Sequence, residues 1–462
     1  MSPIAVVNRH VVPAVHDVAL SQSRVDDRTD AAGRFGPLLN NRWTAAAAAT
    51  IFMMCLGTVY SFSLFTRPLI AAFHWTTMAA MWGFSIAIFS LGIGAVVGGR
   101  WQDRLGPRRV ALSGAALWGA GNILAGLLTP HCGPLALYLS YGAVGGFGLG
   151  MGYVSPVAMV TKWFPDRRGF ASGLVLTGFG LGALMYNGIV STVPAFALAV
   201  RHAGGTPGWA SPADVSALMA TFVWSGAAFV IIAPLCALVL RDPPAGYGRR
   251  CHDPEPALCR EYRPREVLRS PQFYMLWSML FFSVTAGILI ISNAVPIYSD
   301  LTGLATLTAA PICGALAVFN GIGRIVCGHL SDRLGRGNAY ALILGTQAVV
   351  FFALPHLHGP AAVGAAFAIV LFCNGGSFGT MPAYNAEFFG TKHLGTNYGM
   401  ILTAWGCAGL MGPLLAAEAK DLTGSYGGTL LPIAMMLLAA MALPLLARRP
   451  ADRAGAYAGA AR

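Results

Sequence analysis

Twelve apolar stretches, most of them close to twenty residues long, follow one another along this chain with short polar breaks between. About 20 apolar residues is the length of an α-helix that crosses the hydrocarbon core of a bilayer. In that core every backbone N–H and C=O must find its partner inside the protein, which leaves only helices or a closed barrel. The runs are continuous rather than alternating, so the expected fold class is an all-α membrane protein. The spans are predicted near 44–71, 78–99, 109–129, 134–160, 169–192, 214–240, 273–298, 305–330, 338–356, 360–386, 396–417 and 428–447. Charged residues make up only 10% of the chain, where a soluble domain carries about 25%. No polar region is long enough for an enzyme domain, and neither a nucleophile–base pair nor a metal-ligand cluster stands out. No catalytic residue, metal or cofactor is therefore expected. Cys251 and Cys259, with His252 beside the first, form only a weak metal pattern, and the nine cysteines suggest no disulfide framework.

The connections are short except for 193–213 and 241–272, and the second, with Pro243, Pro244, Pro254, Pro256 and Pro264, divides the spans six and six. The expected organisation is a tail (1–43), a six-helix half (44–240), a linker (241–272), a second half (273–447) and a C-terminal tail (448–462). Of 30 Lys and Arg, 26 fall in the tails and on one set of connections; Arg67, Arg201, Lys420 and Arg324 are the exceptions. Positive residues accumulate on the cytoplasmic side. Both termini are expected there, in a multi-pass protein of a bacterial inner (plasma) membrane. The net charge of +12 thus reports topology and contact with the lipid bilayer, not nucleic acid. No obligate protein partner is indicated.

A repeat supports the division. Gly99, Asp103, Arg104 and Gly106, followed by Arg108, close the second span; Gly328, Asp332, Arg333 and Gly335, followed by Arg336, close the eighth, each shared position 229 residues from its mate. In the mechanical reading these turns are latches: the glycine permits close packing, and the charged pair engages neighbouring helices in one access state. Two such halves imply a pseudo-twofold axis along the membrane normal. Span count, linker and paired turns resemble the major facilitator superfamily over the whole chain.

A narrower resemblance rests on Gly57-Thr58-Val59-Tyr60-Ser61-Phe62, Gly150-Met151-Gly152-Tyr153-Val154-Ser155-Pro156, Asn320-Gly321-Ile322-Gly323-Arg324, and Asn397-Tyr398-Gly399 with Thr403-Ala404-Trp405-Gly406. Together these look like the oxalate/formate antiporter family, related to the monocarboxylate transporters. The resemblance implies a carrier of small organic anions, with Arg324 binding a carboxylate. Two departures matter. Asn320 stands where the monocarboxylate transporters have an aspartate, which speaks against proton symport by that route, although a substrate can bring its own proton, so the expected coupling is anion exchange or proton-linked transport. Trp405 lies near the place where relatives handling oxalate are expected to carry a lysine.

Arg324 also stands out on physical grounds, because an ionisable residue inside a membrane span is costly. Shifted back by 229 it meets Ala95, and Asn320 meets Leu91, so neither belongs to the repeat. Asn320 and Arg324 are one turn apart on one helix face, and the guanidinium fork suits a carboxylate. With about 1.5 Å of rise per residue, Arg324 lies about 12 Å inside the Asp332 turn. The competing reading is a snorkelling side chain bent towards the interface. No carboxylate sits mid-span, so one fixed cation favours a small carboxylate with a single charge over a dianion. Tyr60, Tyr141, Tyr153, Tyr186, Tyr384 and Trp405 are candidate cavity walls, with Tyr60, Tyr153, Tyr384 and Trp405 assigned to the binding site; Asn293, Asn374 and Asn385 are further polar candidates. Competing functions are a drug or other-solute carrier and a nontransporting membrane sensor.

Overall fold

The apolar runs become helices, and what ends each one is visible in the sequence. In a computed structural model, which describes residues 41–205, 211–244, 247, 261–304, 306–423 and 427–450, all regular structure is helical. The long helices are α1 Arg42–Phe73, α2 Thr77–Leu105, α3 Pro107–Cys132, α4 Pro134–Trp163, α5 Arg168–Ser191, α6 Pro212–Ala237, α7 Pro271–Thr302, α8 Pro311–Leu334, α9 Arg336–His356 and α10 Pro360–Phe389. These ten are long and apolar enough to cross a membrane. The last two expected spans correspond to α11 Leu394–Thr423 and the shorter apolar α12 Leu430–Leu446. Prolines open α3, α4, α6, α7 and α10, where the missing N–H costs nothing and φ is already helical. Thr76 and Ser211 cap α2 and α6 through their hydroxyls. Most of the two tails, and Cys251 and Cys259, lie outside the described residues; the seven described cysteines are all free.

The predicted ends of the second and eighth spans need correction. Apolarity falls off near Gly99 and Leu330, yet α2 stays helical to Leu105 and α8 to Leu334. The chain breaks only at Gly106 (φ 80°) and Gly335 (φ 82°), a left-handed backbone that side chains disfavour. Asp103, Arg104, Asp332 and Arg333 are therefore last-turn helical residues, held at fixed angles rather than carried on loose turns.

Burial sorts the helices. The most apolar windows of α4 and α10 are 83% and 72% buried, that of α6 only 33%, so α4 and α10 are central and α6 is peripheral. The first six helices meet the last six chiefly through α2 against α11 and α5 against α8. Five helices are irregular in mid-course: α1 has a 3₁₀ turn at Thr58–Ser61, α4 a π segment at Tyr138–Gly145, α7 a non-helical residue, Asn293, and α8 and α12 a turn residue each, Ala317 and Met441. Such interruptions concentrate at functional positions.

Candidate functional site

Two carboxylates tie the helix sets together at the end of the bundle that carries the repeated motif. Asp103 of α2 accepts from the Gly395 and Thr396 amides (3.0 and 2.8 Å) and the Thr396 hydroxyl (2.6 Å), at the start of α11. Asp332 of α8 accepts from the Gly169 and Phe170 amides (2.9 and 2.8 Å), at the start of α5. Each caps the orphan N–H groups of the fifth helix in the opposite set, where a negative charge also meets the positive end of the helix dipole. Gly99 and Gly328 are what let the backbones meet: a Cβ on either would strike the Gly395 or the Gly169 carbonyl. The two ties differ in backing. Arg336, 7% exposed, bridges Asp332 and Glu387 and donates to Ser331. The residue equivalent to Arg336 in the first copy is Pro107. Arg104, Arg108 and Arg333 are exposed and have no described partner.

Deeper in, α8 delivers Arg324 to the centre, where it is 0% exposed. Its Nε donates to Asn320 Oδ1 (3.2 Å) and its Nη1 to the Leu176 carbonyl of α5 (3.0 Å). Phe179 and Phe378 cover the guanidinium at 5.4 and 5.2 Å, close enough for each ring to stabilise the cation. Both bonds lead towards the N-terminal end of α8, away from the motif turn, so the side chain does not snorkel towards that interface. Among charged side chains in the described residues, only Asp214, Arg324 and Arg336 are this deeply buried, and the other two stand at helix ends. The close approach that seats α8 is again a glycine matter: a Cβ on Gly379 of α10 would strike the Arg324 carbonyl.

The chemistry lies in what is left unpaired. No hydrogen bond of normal length and angle closes on Arg324 Nη2, the buried Tyr60, Tyr153 and Tyr398 hydroxyls or Trp405 Nε1, although the Tyr60 and Tyr153 hydroxyls face the guanidinium and Tyr153 faces Tyr398. Tyr60, Tyr153 and Tyr398 are all within electrostatic reach of Arg324. Their rings interlock: Trp405 lies 5.1 Å from Tyr153, 6.2 Å from Tyr60, 5.6 Å from Phe179 and 4.8 Å from Phe378. The cluster draws on α1, α4, α5, α8, α10 and α11. Buried polar groups normally find partners, and here one guanidinium nitrogen and several donors, walled by rings, close no hydrogen bond. The fork is narrower than expected, because Asn320 and Leu176 already hold two of its three nitrogens.

Of the residues assigned to the site, Arg324, Asn320, Tyr60, Tyr153 and Trp405 are brought together. Tyr384 is not. It lies near the motif end against Tyr340 (ring centroids 6.2 Å) and Phe388, its hydroxyl beside Gly337 of α9. The reason is helical phase, since α10 turns position 378, not 384, towards Trp405. Tyr141 and Tyr186 line a separate cleft within the first six helices with Phe62, Phe65 and Trp118. Asn293 spends its amide on Leu289 and Ser292 at the α7 kink. Asn374 and Asn385 are buried with both amide atoms unpartnered, Asn374 against Gly287 of α7. Sequence reasoning missed Phe179, Phe378, Tyr398 and the Leu176 carbonyl. A phenylalanine flanked by glycines was a signal at 179, but Phe147 has the same flanks and is not one of the rings over the guanidinium.

Helices stacked in two sets, tied at one end and enclosing a buried arginine among aromatic rings, are the architecture of a multi-pass membrane protein. The chain belongs to the Major Facilitator Superfamily, whose family profile matches residues 46–413. It is 31% identical over 391 residues to the oxalate:formate antiporter of Oxalobacter formigenes, covering 83% of this chain and 86% of that protein. It is 26% identical to apicoplast pyruvate carrier 1 of Toxoplasma gondii (80% and 76% covered) and 26% identical to monocarboxylate transporter 13 of Bos taurus (84% of each). The fold is shared with the major facilitator transporter FucP, solved in its outward conformation, at a TM-score of 0.65 and 17% identity, over 88% of this chain and 99% of that one.

Proposed function

We propose that this protein is a secondary transporter of small organic anions, taking a monocarboxylate such as formate, lactate or pyruvate in preference to oxalate. It works by alternating access between residues 44–240 and 273–447, with the motif end and both termini cytoplasmic in a bacterial inner membrane. The observation that carries this reading is that Nη2 of a fully buried Arg324 closes no normal hydrogen bond, and neither do the Tyr60, Tyr153 and Trp405 donors beside it. A carboxylate seated there takes one charge-assisted bond from Arg324 and neutral bonds from the hydroxyls and the indole. A second carboxylate would meet no second cation, and an uncompensated charge in a dry site is expensive. That disfavours oxalate, although the relative from Oxalobacter is named for it. The other two relatives reported above are named for pyruvate and for monocarboxylates.

Coupling follows from the same arrangement. Arg324 bonds across the seam to Leu176 of α5, so an anion that draws the guanidinium away loosens α5 from α8. Exchange is the favoured mode: the bound anion offsets the fixed charge during each crossing, and Asn320 supplies no proton.

The test is uptake and counterflow in proteoliposomes with formate, lactate, pyruvate and oxalate, comparing wild type with Arg324→Ala and Arg324→Lys. At least one monocarboxylate should show counterflow, and both variants should lose about 100-fold or more of it, the scale of stranding a buried charge. Unchanged flux in both variants would sink the assignment. Flux of a neutral solute or drug that survives Arg324→Gln would favour the broader carrier reading, and no flux with any solute would favour a sensor.

A further inference from the structure

The α2–α3 turn carries more positive charge than the latch uses. Arg100, Arg104, Arg108 and Arg109 are all exposed there, and none has an acidic partner among the described residues. The described acidic groups at this end are committed elsewhere. Asp103 faces inward to α11, Asp166 pairs with Arg42, and Asp242 pairs with Lys162. Asp332 and Glu387 share Arg336, while Glu261 and Glu266 accept from the Lys392 and Arg263 amides.

The repeat shows that this charge is not needed by the latch motif itself. Positions 100, 108 and 109 correspond to His329, Gly337 and Asn338 in the second copy; only Arg104 has a basic mate, Arg333. Alongside the arginines, Trp101 and Leu105 are 45% and 46% exposed. An exposed indole beside guanidinium groups at the end of a membrane helix is the composition of a headgroup-level anchor. Apolar side chains face the acyl region, and the guanidinium groups are free for phosphate oxygens.

We propose that the α2–α3 turn binds the phosphodiester of an anionic phospholipid through Arg100, Arg108 and Arg109, with Trp101 set against the adjoining acyl chain. The single negative charge of the phosphodiester relieves part of the repulsion among the crowded arginines and holds the turn in place. Because Asp103 lies in the same last turn of α2, lipid binding steadies its bonds to Gly395 and Thr396. The second latch, with Arg336 buried between Asp332 and Glu387, obtains that support from the protein alone. The proposal is independent of which anion is carried.

The experiment uses the full chain in nanodiscs and reads the Trp101 fluorescence component, isolated by difference from Trp101→Phe. Brominated phosphatidylglycerol should quench this component at a mole fraction about tenfold lower than brominated phosphatidylcholine, because basic residues near an anionic surface attract its headgroups. Arg100→Gln/Arg108→Gln/Arg109→Gln should abolish that preference, while millimolar inorganic phosphate should leave it intact, separating a lipid from a free anion. Equal quenching by the two lipids in wild type, a preference that survives in the triple variant, or displacement by free phosphate would each overturn the proposal.

Discussion

Dipoles and ring faces, rather than a counter-ion among the described residues, surround the buried Arg324 guanidinium. Asn320 Oδ1, the Leu176 carbonyl and two phenylalanines share that work, which leaves a net positive charge for a ligand to neutralise. Replacing Asn320 by aspartate would place a carboxylate one turn away and consume that charge. Asn320→Asp should therefore abolish carboxylate counterflow at neutral pH, whereas Asn320→Gln should retain part of it; equal activity in Asn320→Asp and wild type would refute the role. The surrounding donors are separable. Tyr60→Phe and Tyr153→Phe each remove one hydroxyl and keep the ring, so each should raise the KM for the anion by about tenfold, the worth of one hydrogen bond to a charged group. Trp405→Lys supplies the missing second cation. Its expected effect is a rise of about tenfold or more in the ratio of oxalate to formate transport, read in parallel uptake assays.

Among the elements, α5 and α11 are the ones gripped, and they are gripped differently. Along α5 the seam is polar at four levels: Asp332 on Gly169 and Phe170, Ser172 on the Gly379 carbonyl (2.7 Å), Arg324 on Leu176, and Thr177 on the Gly321 carbonyl (2.9 Å). Beyond Asp103, α11 meets α2 through backbone contacts at Gly99, Gly399 and Gly406, the kind of surface over which helices pack closely. The α5 seam should consequently resist opening more than the α2 seam. A cysteine placed at the fully buried Ser172 should react slowly with a membrane-impermeant maleimide, and adding Asp332→Ala should speed that reaction more than adding Asp103→Ala. Each carboxylate contributes on the order of 0.3–1 kcal/mol, up to about 2 when partly buried, so changes of a few-fold are expected. Indistinguishable rates in the two backgrounds would contradict the asymmetry.

For the whole molecule, the linker ends are fastened to their own helix sets. Asp242 pairs with Lys162 of α4 and Trp163 donates to the Arg241 carbonyl, while the Tyr262 amide donates to the Phe389 carbonyl at the end of α10. Fragments 1–255 and 256–462 should accordingly assemble when co-expressed and retain transport, measured against the intact chain; loss of activity despite both fragments reaching the membrane would refute this. The all-helical membrane fold, the pairing of the motif turns and the isolation of Arg324 were legible in the sequence, because a bilayer demands long apolar helices and makes any charge among them conspicuous. Asn320 follows from its place one turn from Arg324, and Tyr60, Tyr153 and Trp405 from segments that resemble a known family. Sequence reasoning erred at Tyr384 and overlooked Phe179, Phe378 and Leu176, since a lone sequence does not state which side of a central, nearly all-buried helix faces the cluster. Helices such as α4 and α10 are apolar on every side, so their composition carries no phase. The sequence by itself determined that a single cation would be carried into the membrane. Only the packing of α5, α8 and α10 decided that the Leu176 carbonyl holds Arg324 Nη1 and that Phe378 covers the guanidinium, because those contacts join residues more than fifty positions apart.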